Sequence, residues 1–359
     1  MTELNKKRCL LTGAGGFVGC HFVDHLLLNT DWELICIDSF NHKGIPERIL
    51  DSEHYQNNKD RVKIFTHDLT APFSQVLIDR LGKIDYIINL ASMSHVDTSI
   101  TDPEPFIMNN VKLSINMLEL ARDLWGLRKT GLNTPPAGTK FIQFSTDEVY
   151  GPMLENRPHP EWDPIIPSNP YSASKACQEA IATSYWRTYS VPLFITNTMN
   201  IIGERQDGEK YLPKIVKNIL EGTELTVHAQ KNKEGQYEAG TRFYLHARNA
   251  ADAVMFILNN IEPALFPNTN EPERFNVVSD NELDNLELAK MVAKIMGKEL
   301  KHRYIDVHSV RPGHDPKYGL DGNKLKEAGY EYPVSFEDSL RRTIDWMMKP
   351  ENRRFIDAL

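Results

Sequence analysis

Apolar residues in the first two thirds of the chain gather in short, nearly unbroken runs: Arg8 to Thr12, Glu33 to Asp38, Val62 to Thr66, Ile84 to Leu90, Lys140 to Ser145 and Leu193 to Thr198. Alternating apolar and polar residues would mark strands with one wet face. Unbroken Val, Ile, Leu and Phe mark strands covered on both faces. The segments between the runs are long enough for crossover helices, beginning with a helical pattern from Phe17 to about Leu28. This order predicts an α/β fold built on a doubly wound parallel sheet.

Beyond Met199 the rhythm breaks. Gly, Pro and charge cluster at Gly203 to Gly208, Gln230 to Gly240 and Pro263 to Pro272, and only short helical patterns such as Leu286 to Met296 and Phe336 to Met348 remain. The reading is a larger domain over residues 1–198, with 241–262 returning to it, and a smaller mixed α/β lobe from 199–240 and 263–359. The biased stretch Arg128 to Thr139 reads as a surface loop.

Composition narrows the function classes. Of 359 residues, 41% are apolar and 25% charged, so a sizeable core can be buried. The net charge of -8 has the wrong sign for a surface that must neutralise nucleic-acid phosphates. No apolar run approaches the roughly 20 residues of a membrane helix, and Met1 to Arg8 lacks a signal peptide's apolar core. Cys9, Cys20, Cys36 and Cys177 show no CxxC spacing. The expectation is a soluble protein of a reducing cytoplasm, with neither zinc nor disulfides and no nucleic-acid or membrane partner.

The segment Thr12 to Gly19 follows the first run and opens the first helical pattern. Gly13, Gly16 and Gly19 fit a tight turn, close backbone approach to a pyrophosphate and close packing of helix on sheet, with Phe17 and Val18 opening the helix. Asp38 ends the second run, where a carboxylate accepts hydrogen bonds from an adenosine ribose. A 2'-phosphate there would meet like charge, which favours NAD over NADP, although Lys43 and Arg48 lie nearby. Asp68 is either an adenine contact or a helix N-cap. Leu69, Leu90 and Ala91 are counted with it among the cofactor contacts of a Rossmann domain.

Tyr171 and Lys175 stand at i and i+4, on one face of a helix starting after Pro170. A phenol titrating near 10 becomes a base near pH 7 only if it is lowered by roughly 3 units, about 4 kcal/mol, which an adjacent Lys cation together with a positive nicotinamide could supply. With Thr146 at the end of the fifth run, these residues resemble the site of extended short-chain dehydrogenase/reductases, where a Tyr, a Lys and a Ser or Thr sit beside the nicotinamide.

Asp147 and Glu148 come immediately after Thr146. Adjacent acids at the carboxyl end of a buried strand are costly unless used or neutralised, and ligands bind at that end of a parallel sheet. The string Ser145 to Gly151 resembles the active-site segment of nucleotide-sugar 4,6-dehydratases, above all those acting on dTDP-glucose or UDP-glucose. The resemblance implies that Ser94 and His95 face the hexose and that Asn200, Glu209 and Lys210 belong to the stretch approaching the diphosphate. It further implies that Arg242 and Asn276 contact phosphate, and that Arg311 and His314 hold the diphosphate and base. Met93, Ile201 and Ile202 depart from the usual residues.

The activity that the resemblance implies is that of an NAD-dependent hydro-lyase. Tyr171 would take the 4-hydroxyl proton as hydride leaves C4, Glu148 would remove the C5 proton, and Asp147 would protonate the departing 6-hydroxyl, giving a 4-keto-6-deoxy sugar. A 4-epimerase on the same fold, or a non-catalytic NAD-binding scaffold, are the alternatives. Helices expected at Phe106 to Trp125 and Tyr171 to Tyr189 imply, by the same resemblance, a homodimer.

Overall fold

The structure is a computed structural model that describes residues 6–357 except 129–132, 154, 156, 233, 280 and 307–316. Its strands are β1 (Arg8–Thr12), β2 (Glu33–Asp38), β3 (Val62–Thr66), β4 (Tyr86–Asn89), β5 (Lys140–Thr146), β6 (Leu193–Thr198), β7 (Asn200–Ile202), β8 (Leu225–Lys231), β9 (Tyr237–Ala239), β10 (Thr241–His246), β11 (Glu273–Val277), β12 (Glu282–Asp284) and β13 (His302–Asp306). Every run expected from the apolar pattern is a strand, with β4 trimmed at both ends and β5 extended to Thr146.

The central sheet has seven strands in the order β11-β6-β5-β4-β1-β2-β3, all parallel. Neighbouring residues of each strand point to opposite faces. Leu11, Cys36 and Ile88 pack with Phe22, Leu26 and Val254, on the side of helices Phe17–Asn29 and Ala247–Asn260. Leu10, Ile35 and Ile87 pack with Met117, Leu118 and Trp186, on the side of helices Pro103–Leu124 and Pro170–Tyr189. Both faces are dry, which explains why β5 and β6 are buried at every residue.

The smaller lobe carries two three-stranded sheets, β12-β10-β7 and β13-β8-β9. Helices Tyr211–Glu221, Asn285–Met296 and Phe336–Met348 share a core with them through Val216, Leu225, Val292 and Leu340.

Two assignments from the sequence change. β11, placed with the smaller lobe, is an edge strand of the central sheet beside β6. It was hidden because it opens on Glu273 and Arg274, charges that read as surface, whereas Arg274 is only 1% exposed. Of 241–262, helix Ala247–Asn260 packs with the central sheet, while β10 lies between β7 and β12. All four cysteines are free thiols, three of them buried. Among the described residues, no helix is long and apolar enough to cross a membrane.

Candidate active site

The carboxyl ends of β1 to β6 open into a cleft of about 1000 Å³ whose far wall comes from the smaller lobe. At one end Gly13 turns the chain with φ +66°, donates to Ile37 O and accepts from Gly16 N. Helix Phe17–Asn29 then starts at Gly16 without a side-chain cap and with no acid in its first turn, so its amide end suits an anion. Only glycine fits at position 19, because a Cβ there would lie 2.0 Å from Gly13 O.

Asp38 closes β2 and is locked in place. Its carboxylate accepts from Gly15 N (2.9 Å) and Phe40 N (3.0 Å). Phe17, Val18, Asp68, Leu69, Leu90 and Ala91 line the same cleft. Asp68 also accepts from the Thr70 amide and hydroxyl and so closes a turn; it is not the expected helix N-cap, because the next helix, Gln75–Leu81, is capped by Ser74. This open helix end, glycine turn and carboxylate fit a dinucleotide.

Behind the turn runs a buried polar chain that the sequence did not disclose. Thr12 Oγ1 donates to Asn89 Oδ1 and accepts from Ala91 N, and Asn89 Nδ2 donates to Gln143 Oε1. It ties β1, β4 and β5 together at their cleft ends.

The central residues converge. Thr146 Oγ1 donates to Asp147 Oδ1 (2.9 Å) and lies beside the Tyr171 hydroxyl. Burial, then the Glu148 charge beside it, pushes Asp147 up to about 7, while its other oxygen, Oδ2, is buried with no hydrogen-bond partner. Glu148 Oε2 accepts from Asn169 Nδ2 (3.0 Å). Asn169 also caps helix Pro170–Tyr189, in a box completed by Ser172.

The expected help from Lys175 is not direct. Its ammonium donates to Phe144 O and Gln178 Oε1, both at 2.7 Å. Burial and the Glu148 charge push the Tyr171 phenol above its ordinary value, so Lys175 by itself does not supply the lowering expected of it together with a positive nicotinamide. Burial lowers Lys175 to about 8, with Glu179 opposing.

Ser94, His95, Asn200, Glu209, Lys210 and Arg242 also line the cleft. Glu209 pairs with Lys43 at 2.9 Å and faces His95 Nε2 at 3.8 Å. Arg242 lies with its guanidinium 4.8 Å from the Tyr318 ring centre and is 8% exposed. Met93 has its amide and carbonyl both held by Asn110.

Asn276 is a correction. It is fully buried, and its amide donates to His159 O and Asp321 O, binding two chain segments to the sheet instead of facing the cleft. Arg311 and His314 lie outside the described residues.

His21, Glu204 and His246 form a buried trio with metal-ligand composition. His246 Nδ1 accepts from Arg248 N, which leaves the proton of a neutral ring on Nε2, where it is given to Glu204. The trio is thereby a satisfied network joining helix Phe17–Asn29, the loop after β7 and β10.

Residues 10–343 match the family model described as GDP-mannose 4,6 dehydratase. The chain is 30% identical over 339 residues to the low-salt glycan biosynthesis protein Agl12 of Haloferax volcanii, covering 94% of this chain and 98% of that protein. It is 30% identical over 369 residues to the dTDP-glucose 4,6-dehydratase of Shigella flexneri, covering 96% and 94%. The crystal structure of DesIV, a dTDP-glucose 4,6-dehydratase from Streptomyces venezuelae with NAD and TYD bound, superposes with a TM-score of 0.80 at 30% identity, covering 98% of this chain and 99% of that one.

Proposed function

The chain belongs to the GDP-mannose 4,6-dehydratase family, and from that premise we propose that it converts a nucleotide-activated hexose, dTDP-glucose or UDP-glucose, to the 4-keto-6-deoxy sugar with NAD as resident cofactor. The observation that carries this reading is the adjacent acid pair. Asp147, raised toward neutrality, and Glu148, held by an amide donor, stand beside Thr146, Tyr171 and Lys175 in one cleft.

NAD, when bound, supplies a hydride acceptor that is restored within each turnover. Tyr171, beside Thr146, would receive the proton of the sugar 4-hydroxyl as C4 is oxidised, once Lys175 and the positive charge of a bound nicotinamide have lowered its phenol enough to ionise. The C5 proton then lies beside a ketone, and Glu148 removes it to give an enolate. Asp147, a carboxylic acid near pH 7, protonates the 6-hydroxyl, which departs as water. Glu148 returns its proton to C5 as C6 is reduced.

Arg242, Asn200 and Lys210 supply cation and amide for the diphosphate, and Ser94 and His95 contact the hexose. Arg311 and His314 complete the nucleotide contacts in this reading. The NAD-binding unit comprises residues 1–198, helix Ala247–Asn260 and β11, and the remainder binds the nucleotide sugar. Two copies pair through helices Pro103–Leu124 and Pro170–Tyr189. In support, Met108 and Ile115, one heptad apart on the first helix, are 54% and 37% exposed. The enzyme works in the cytoplasm without nucleic acid.

The test is product analysis. Purified protein given dTDP-glucose or UDP-glucose should release a nucleotide sugar lighter by one water, with the alkali-induced ultraviolet band of a 4-keto-6-deoxy sugar. A product of unchanged mass and inverted C4 would overturn the dehydratase reading in favour of epimerisation.

A further inference from the structure

Helix Pro170–Tyr189 is capped by Asn169, whose Oδ1 accepts from Ser172 N at 2.9 Å. Serine and aspartate cap as well as asparagine does and threonine nearly as well, so the cap alone does not call for an amide. The amide has a second use. Nδ2 points the other way and donates to Glu148 Oε2 at 3.0 Å, on a side chain only 8% exposed.

We propose that Asn169 is a positioning residue that holds Glu148 ionised and fixed beside the substrate, so that the one proton shared by the adjacent acids resides on Asp147. An N–H donor stabilises a carboxylate over its acid. Asp147 receives the opposite treatment, since it lies 4% exposed, its Oδ2 is buried with no hydrogen-bond partner while Oδ1 accepts from Thr146, and it faces the Glu148 charge. Among the described residues, Arg242 from β10 also bears on the pair and favours an ionised Asp147, and the neutral Tyr171 phenol, from the helix that Asn169 caps, bears on it by its position beside both acids. Two acids in one site titrate as a coupled pair, and a base and an acid are both needed at once, so a donor on Glu148 adds to the burial of Asp147 in setting which acid keeps the proton. This inference rests on the dehydratase reading for the roles of the two acids, but the hydrogen bond and its effect on ionisation are properties of the free protein.

Asn169→Ser keeps the cap and removes the donor to Glu148, and Asn169→Thr does the same with a second side chain. Both should melt within about 1 °C of the wild type. The kcat should fall roughly 10-fold or more, with reduced cofactor accumulating during turnover because oxidation proceeds while elimination stalls. The acid limb of the kcat profile should move up by about one unit and the alkaline limb down, since Glu148 protonates more readily and Asp147 then less so. In substrate-free protein, infrared carboxylate titration should show the same upward shift of one acid. Wild-type kcat and limbs, together with an unchanged carboxylate titration in both variants, would overturn the proposal. Should the wild type yield an epimer, the dehydratase reading fails on its own, and the substrate-free titration still decides whether Asn169 holds Glu148 ionised.

Discussion

Arg274 and Glu179 form an ion pair of 2.8 Å with each side chain 1% exposed, directly beneath the turn that carries Thr146, Asp147 and Glu148. Asn197 connects them to it, because its Nδ2 donates to Glu179 Oε1 and to the Thr146 carbonyl while its Oδ1 accepts from Arg274. Removing one partner of such a pair leaves a buried charge alone and costs about 3–5 kcal/mol. Arg274→Met should lower the urea midpoint accordingly. Arg274→Met combined with Glu179→Leu should recover most of that loss, and a double-mutant cycle on unfolding measures the coupling.

Asp147 gives stability a pH dependence with a definite sign. Its folded value of about 7 lies above the ordinary 3.8 of an aspartate, so its contribution is complete below the unfolded value and disappears as pH rises through about 7. Asp147→Asn carries no such burden. The variant should be more stable than the wild type at pH 8, by up to roughly 4 kcal/mol, and level with it near pH 4, while losing dehydration. Thermal scans at the two pH values check this.

The two halves of the reaction should separate by mutation. Tyr171→Phe removes the phenol proposed to accept the 4-hydroxyl proton, and no reduced cofactor should appear on mixing with substrate. Glu148→Gln should still reduce bound NAD but stall before water is lost, lowering turnover by about 10²–10⁴-fold. Stopped-flow absorbance of the reduced cofactor distinguishes them, and wild-type turnover by Glu148→Gln would reassign the C5 base.

Gly19→Ala should be severe although it adds one methyl. Its Cβ would fall 2.0 Å from Gly13 O and 2.8 Å from Ala14 Cα, backbone atoms that cannot yield without opening the phosphate turn. The expected outcome is purification without NAD and a destabilisation of at least about 1–3 kcal/mol. Cofactor content after denaturation, read beside the melting curve, checks both.

What could be read from residue order depends on the composition of each part of the molecule. The sheet was legible because its strands are dry on both faces and leave uniform apolar runs, and the glycine turn because its conformation excludes other residues. Thr146, Tyr171 and Lys175 emerged from spacing plus resemblance. Asn169 was overlooked although Asn-Pro-Tyr-Ser is a capping box signature, because its second bond reaches back 21 residues to Glu148. Asn197, Glu179 and Arg274 left no local signal, since only tertiary pairing makes a charge in β11 tolerable. Asn276 misled for the related reason that an asparagine serving backbone carbonyls looks like one awaiting a ligand.

The edge position of β11 has a consequence for how the chain comes into being. Residues 193–198 emerge early from the ribosome, but the neighbour that covers their outer side is made some 75 residues later, across the whole β7 to β10 region. Until then the nascent β6 edge, with Asn197 and the unmatched Glu179, is exposed to mispairing. A protein truncated after residue 262 would therefore be a poor reagent for isolating the nucleotide-binding half, and slow, late-completing folding is the natural kinetic signature of the whole.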